Sequence, residues 1–146
     1  ISVSNSSASW IIDSGATDHV CCSLALFSAY TSIAPINVSL PTGAKAIASF
    51  SETVRISDSL ILHHVLFLPN FSFNILSVSR LTVAQNCFLT FDSHFCQIHS
   101  IQPSLMIGSA RLFEGLYLLT TDMTIQTTPS QVLLTTNRQA IVIHKW

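Results

Sequence analysis

Trp10-Ile11-Ile12-Asp13-Ser14-Gly15-Ala16-Thr17 decides how the rest of the chain is read. An apolar run enters directly into an acid, a hydroxyl residue and a glycine. The apolar residues predict a buried strand that holds the Asp13 carboxylate rigidly. Gly15 permits a tight turn and a close backbone approach. Ser14 is placed to hydrogen-bond near the carboxylate or across to a second chain. Asp-Ser-Gly alone is a common turn sequence, so its meaning depends on what surrounds it.

Outward from this stretch the pattern is β-rich. Ile36, Val38 and Leu40 alternate with Asn37 and Ser39, a period of two, and Pro41-Thr42-Gly43 then predicts a turn. Val54 and Ile56 alternate with Thr53, Arg55 and Ser57. Leu60 to Leu68 is nearly all apolar apart from His63-His64, and Pro69-Asn70 ends it. Cys87 to Phe91 and His94 to His99 flank Asp92-Ser93, which predicts a two-residue hairpin. Gly115 to Leu119 forms a last short strand. Ser77 to Asn86 is the one helical stretch: Val78, Leu81 and Ala84 repeat every three residues, and Ser77 caps the start. About seven strands and one short helix imply an all-β barrel or sandwich.

Composition narrows the function classes. The chain has 146 residues, 49% apolar and only 9% charged, with 22 Ser and 13 Thr at polar positions. So apolar a chain is not disordered. Its net charge of -1 and lack of a basic cluster argue against nucleic acid as a partner. No apolar run reaches the roughly 18 to 20 residues of a membrane-spanning helix, so no membrane partner is expected. So few charges on so apolar a chain predict poor solubility alone, or a surface that expects a partner. Residues 1–9 are Ser-rich and fit a linker. Residues 120–146 turn Thr-rich with Pro129 and fit a linker or the start of a next module. Cys21, Cys22, Cys87 and Cys96 make no CxxC pair, and buried free thiols in a reducing, intracellular compartment are favoured over a Cys87–Cys96 bridge.

The longer stretch Trp10 to His19 resembles the active-site region of the aspartic protease in Ty1/copia-type retrotransposon Gag-Pol polyproteins. Leu40-Pro41-Thr42-Gly43, Thr53-Val54-Arg55-Ile56 and His64-Val65-Leu66-Phe67-Leu68-Pro69 resemble the blocks that follow in that domain. Phe73 to Leu81 resembles its most recognisable downstream block, and Gly115-Leu116-Tyr117-Leu118 its end. The resemblance implies a retropepsin-like closed β-barrel over residues 10–119, with one short α-helix, forming half of a homodimeric aspartic protease. It implies catalytic residues Asp13, Ser14 and Gly15, no cofactor and no metal. It places the chain in the cytoplasm, within a virus-like particle.

Aspartic proteolysis needs two carboxylates sharing one proton. Asp58-Ser59 and Asp92-Ser93 lack the glycine, so the dyad is Asp13 and its mate from a second copy in a two-fold interface. One Asp13 acts as base on water, and the other donates a proton to the scissile carbonyl of a polyprotein peptide. The resemblance implies that Ser14 braces the two loops across the axis and that Ile75-Leu76-Ser77 sits behind them. Leu40 to Ile56 occupies the place of the flap over the substrate. Relatives carry Gly just before the Thr-Val pair, where this chain has Glu52, a poor residue for a turn at positive φ. The alternative function is an inactive, degenerate or domesticated barrel that serves as a structural or peptide-binding module.

Other side chains favour structural roles. His63 and His64 are neighbours on a strand and should face opposite ways, so they do not converge on one ion. Cys87, His94, Cys96 and His99 are zinc-type residues whose strand spacing fits a closed site badly. His19 is expected to brace the loop by a hydrogen bond. Asp18 is too near Asp13 in the chain to mirror it. Phe67, Phe71, Phe73, Phe88, Phe91 and Phe95 are expected in the core.

Overall fold

The computed structural model describes residues 9–27, 29–39 and 43–120. Apart from Ser9 and Thr120, the linkers expected at 1–9 and 120–146 lie outside the described residues. So do Leu40, Pro41 and Thr42.

The strands are β1 (Trp10–Asp13), β2 (Val20–Cys21), β3 (Thr31–Ser39), β4 (Lys45–Arg55), β5 (Ile61–Phe67) and β6 (Asn74–Ser77). After them come helix α1 (Val78–Gln85), then β7 (Cys87–Phe91), β8 (Phe95–Ser100), β9 (Met106–Phe113) and β10 (Leu116–Leu119). They form one ten-stranded sheet in the order β3-β4-β5-β2-β6-β1-β10-β9-β8-β7. The all-β expectation with one short helix holds.

The expected hydrogen-bonded closure does not appear: among the described strands, β3 and β7 end the ladder and do not pair with each other. Pro35 gives part of the reason. It has no N–H to donate, which suits β3 to an edge, and β3 carries a register shift between Ser32 and Ile36. The sheet is rolled nonetheless. Val54 of β4 and Cys87 of β7, near opposite ends of the ladder, lie in the same apolar cluster as Ile12, Leu76, Leu81 and Ile98. A second cluster of Ala16, Val20, Ala48, Leu66, Leu68 and Ile75 fills the other face beneath the loop after β1. Alternation along β6 explains the split, since Ile75 and Leu76 point to opposite faces.

Three local departures have physical causes. His63 and His64 are both exposed, and the strand is irregular between them. His64 takes φ +56, and this left-handed residue sits where the β4–β5 register slips between Glu52 and Val54. The irregularity puts Leu62 and Val65, three apart, into one core cluster. The β7–β8 turn spans Asp92 to His94, one residue longer than predicted, because Asp92 Oδ1 accepts N–H bonds from both His94 and Phe95 at 2.7 Å. Strand β9 escaped sequence reading, because Gly108, Ser109 and Ala110 break its apolar pattern. The fold needs a small residue there: a Cβ on Gly108 would meet Ile98 and Leu60 at 3.1 Å.

The helix keeps its predicted cap. Ser77 Oγ accepts from Arg80 N–H, and Asn86 closes the far end in the left-handed conformation. Its inward face is Val78, Leu81 and Gln85 rather than Ala84, which is exposed. Phe73, Phe88 and Phe95 are also exposed, against expectation. Phe88 and Phe95 occupy the outward positions of β7 and β8, while Cys87, Cys96 and Ile98 take the inward ones.

Candidate functional site

Strand β1 lies between β6, to which it runs parallel, and β10, to which it runs antiparallel. Its last residue, Asp13, sits opposite Ser77 at the end of β6. All four β1 residues are buried, and Asp13 is 2% exposed. Burying a carboxylate requires hydrogen-bond donors. Asp13 Oδ1 accepts from the backbone N–H of Gly15 at 2.7 Å and of Ala16 at 3.2 Å. Ser14 and Gly15 are exposed at the crest of this turn. The three predicted catalytic residues therefore form one turn, with the carboxylate drawn inward and its two neighbours facing out.

The loop from Ala16 to His19 is gripped by the start of α1. Ser77 Oγ donates to the Ala16 carbonyl at 2.6 Å, and Arg80 Nε donates to the Thr17 carbonyl at 3.0 Å. Arg80 also pairs with Asp18 at 2.6 Å, so Asp18 serves as a loop anchor. The Ser77 backbone N–H donates to His19 Nδ1 at 3.0 Å, the loop-bracing bond expected of this residue. An accepting Nδ1 puts the ring proton on Nε2. Burial, reinforced by Arg80 and partly offset by Asp18, pushes the His19 pKa down to about 4. Ile75-Leu76-Ser77 does lie behind the loop, with Leu76 fully buried.

Asn74 secures the other end. Its Oδ1 accepts from Cys22 N–H at 3.0 Å and Cys22 Sγ at 3.3 Å, tying the start of β6 to the end of β2. Among the described residues, the buried polar or charged side chains are Asp13, His19, Asn74 and Ser77, all in this one region. Sequence reading gave Ser77 as the helix cap and as part of the stretch behind the loop, and assigned no role to Asn74 or Arg80. A signal existed for Arg80. A cation in the first turn of a helix opposes the helix dipole, so it calls for an acid elsewhere.

A cleft of about 200 Å³ opens between Ala16–Asp18 and Ile36–Ser39 of β3. Asp13 does not line it. The β3–β4 hairpin beside it turns between Ser39 and Lys45, with Gly43 at φ +83. Glu52 is not at the tip of that hairpin, as the sequence comparison had implied. It lies within β4 opposite Val65, and its side chain accepts from Thr53 N–H at 2.9 Å. The positive φ needed for the turn falls on Gly43 instead.

The zinc-type residues are not brought together. Cys87 and Cys96 are buried free thiols; Cys87 pairs in register with Ser100, and Cys96 with Phe91. Burial pushes the Cys96 thiol up to about 12. His99 stacks on Phe88 on the opposite face. Among the described residues, no group of three or more His, Cys, Asp or Glu is arranged to hold a metal ion.

A family model described as "Pol polyprotein, beta-barrel domain" matches residues 10–87, which is 78 of 146 residues. The matched stretch contains the Asp13 turn, the β3–β4 hairpin and the α1 clamp. No curated protein and no solved structure matches the chain.

Proposed function

The chain belongs to the Pol polyprotein beta-barrel domain family, and on that premise we propose that it is the aspartic endopeptidase domain of a copia-type retrotransposon Gag-Pol polyprotein, with retropepsin-like architecture. The observation that carries this reading is the Asp13 turn. A carboxylate stands at the end of a buried strand, with one oxygen held by the N–H groups of Gly15 and Ala16. Such bonds fix its direction.

One chain supplies one such turn, and the reaction needs two carboxylates. The partner is a second copy, joined through the exposed Ser14-Gly15 crest about a two-fold axis. There the two Asp13 carboxyls share one proton. The charged one takes a proton from water as the water attacks the scissile carbonyl. The protonated one gives its proton to the carbonyl oxygen. The β3–β4 hairpin serves as the flap. The cleft of about 200 Å³ takes a side chain of the polyprotein peptide, with Val20, Ile36 and Val38 as its apolar wall. Under this reading the domain works in the cytoplasm, inside a virus-like particle.

A second reading has its own support. Asp13 is buried in the single chain and does not line the cleft, an arrangement that suits a barrel holding a peptide without cutting it. A processing assay separates the two. The chain is extended upstream into the polyprotein and expressed beside its Asp13→Asn twin, and products are followed by gel and mass spectrometry at mildly acidic pH. Cutting by the parent alone supports the protease. No cutting by either, with both folded and dimeric, supports the peptide-binding module.

A further inference from the structure

His19 is bonded in a way that admits only its neutral form. It is 2% exposed, and the Ser77 N–H points into Nδ1 at 3.0 Å. A proton on Nδ1 would set two donors face to face and break that bond. Ser77 is also the residue whose Oγ holds Ala16, and Ala16 N–H holds Asp13 Oδ1. The path from ring to carboxylate is therefore His19, Ser77, Ala16, Asp13. The charged and titratable groups facing His19 are Asp18 on its own loop, Arg80 on α1 and His63 on β5. Arg80 and His63 oppose a charge on the ring, and Asp18 favours one.

We propose that His19 is a pH-gated positioning residue: uncharged, it locks the Asp13 loop to β6, and charged, it releases that loop. The proposal rests on the reading of Asp13 as half of a proteolytic dyad. The folded ring takes up a proton near pH 4, against an ordinary value of 6.5. The unfolded chain therefore binds more protons between those values, and stability falls as pH falls. The lock is complete above pH 6.5 and weakens towards pH 4. Acid that charges His19 opens the loop, so loss of the lock adds to the acid limb of the activity profile.

The test uses the full 146-residue chain and its His19→Asn variant, whose Oδ1 stands near the place of Nδ1 and does not titrate. Ser77 amide protection and the His19 ring resonances are followed by NMR from about pH 7 to about pH 3.5. Cleavage is followed over the same range. In the parent, Ser77 protection should fall at least about tenfold in step with ring protonation, while Ile98 in β8 stays protected. In His19→Asn, Ser77 protection should stay level and the acid limb should move to lower pH. The proposal fails if Ser77 protection ignores ring protonation, falls only together with Ile98, or falls equally in His19→Asn. If neither protein cleaves at any pH, the protease reading fails by itself, and the exchange data still decide the role of His19. If His19→Asn does not fold, the parent titration decides alone.

Discussion

The two halves of the sheet are built on different terms. The half formed by β1, β2, β6 and the start of α1 buries Asp13, His19, Asn74 and Ser77. Each of the four has at least one hydrogen bond to another part of that half. The meander β7–β10 buries Cys87, Cys96, Ile98, Ile107, Ala110, Tyr117 and Leu119, and the half-buried Tyr117 hydroxyl donates to the Asp92 carbonyl. Burying polar groups costs stability unless every partner is in place. A domain with 9% charged residues has concentrated that cost around a single carboxylate. In the meander the same chain folds a sheet around apolar side chains and free thiols. The difference marks the Asp13 loop as the place where buried polar groups are held by specific hydrogen bonds.

Substitutions in the two halves should therefore fail in different ways. Asp13→Asn should lower polyprotein cleavage by about 10²–10⁴-fold while leaving the melting curve close to that of the parent. Ile98→Ala, in the meander, should cost roughly 2–5 kcal/mol in urea denaturation. Its effect should be on stability, with cleavage per folded molecule unchanged. Ser77→Ala removes the hydroxyl that holds Ala16 and caps α1. It should cost about 1–3 kcal/mol and also lower cleavage per folded molecule, a double loss that Ile98→Ala does not show. Val83→Ser, at an 87% exposed helix position, should stay within about 0.5 kcal/mol of the parent and leave cleavage alone.

Sequence alone carried the regular parts of this architecture and stopped at the irregular ones. Alternation exposed β3 and the end of β4, the apolar run Leu60 to Leu68 exposed β5, the Asp92-Ser93 turn exposed β7 and β8, and the Ser77 cap marked the start of α1. Strand β9 was hidden because close packing of Leu60 and Ile98 over Gly108 leaves no space for the large side chains that announce a strand. The bulge at His64 was hidden because histidine, though commoner than most residues at positive φ, adopts it too rarely to announce one inside an apolar run. At the site, Asp13, Ser14, Gly15 and His19 were legible from one contiguous stretch. Their clamp was not, since Ser77 and Arg80 lie more than fifty residues away and reach the loop only through the parallel pairing of β1 with β6. The role assigned to Glu52 failed for the same kind of reason. A glycine missing from one position says nothing of Gly43, which makes the turn several residues earlier.

The central claim is that each of two chains brings one Asp13 to a shared site. Mixing tests it most directly. Wild-type chain at fixed concentration is refolded with increasing amounts of the Asp13→Asn chain, and cleavage of a polyprotein peptide is measured. Mixed dimers hold one carboxylate, so cleavage should fall steadily as the mutant is added and should nearly vanish at large excess. Cleavage that stays constant while mixed dimers form would contradict the two-chain dyad.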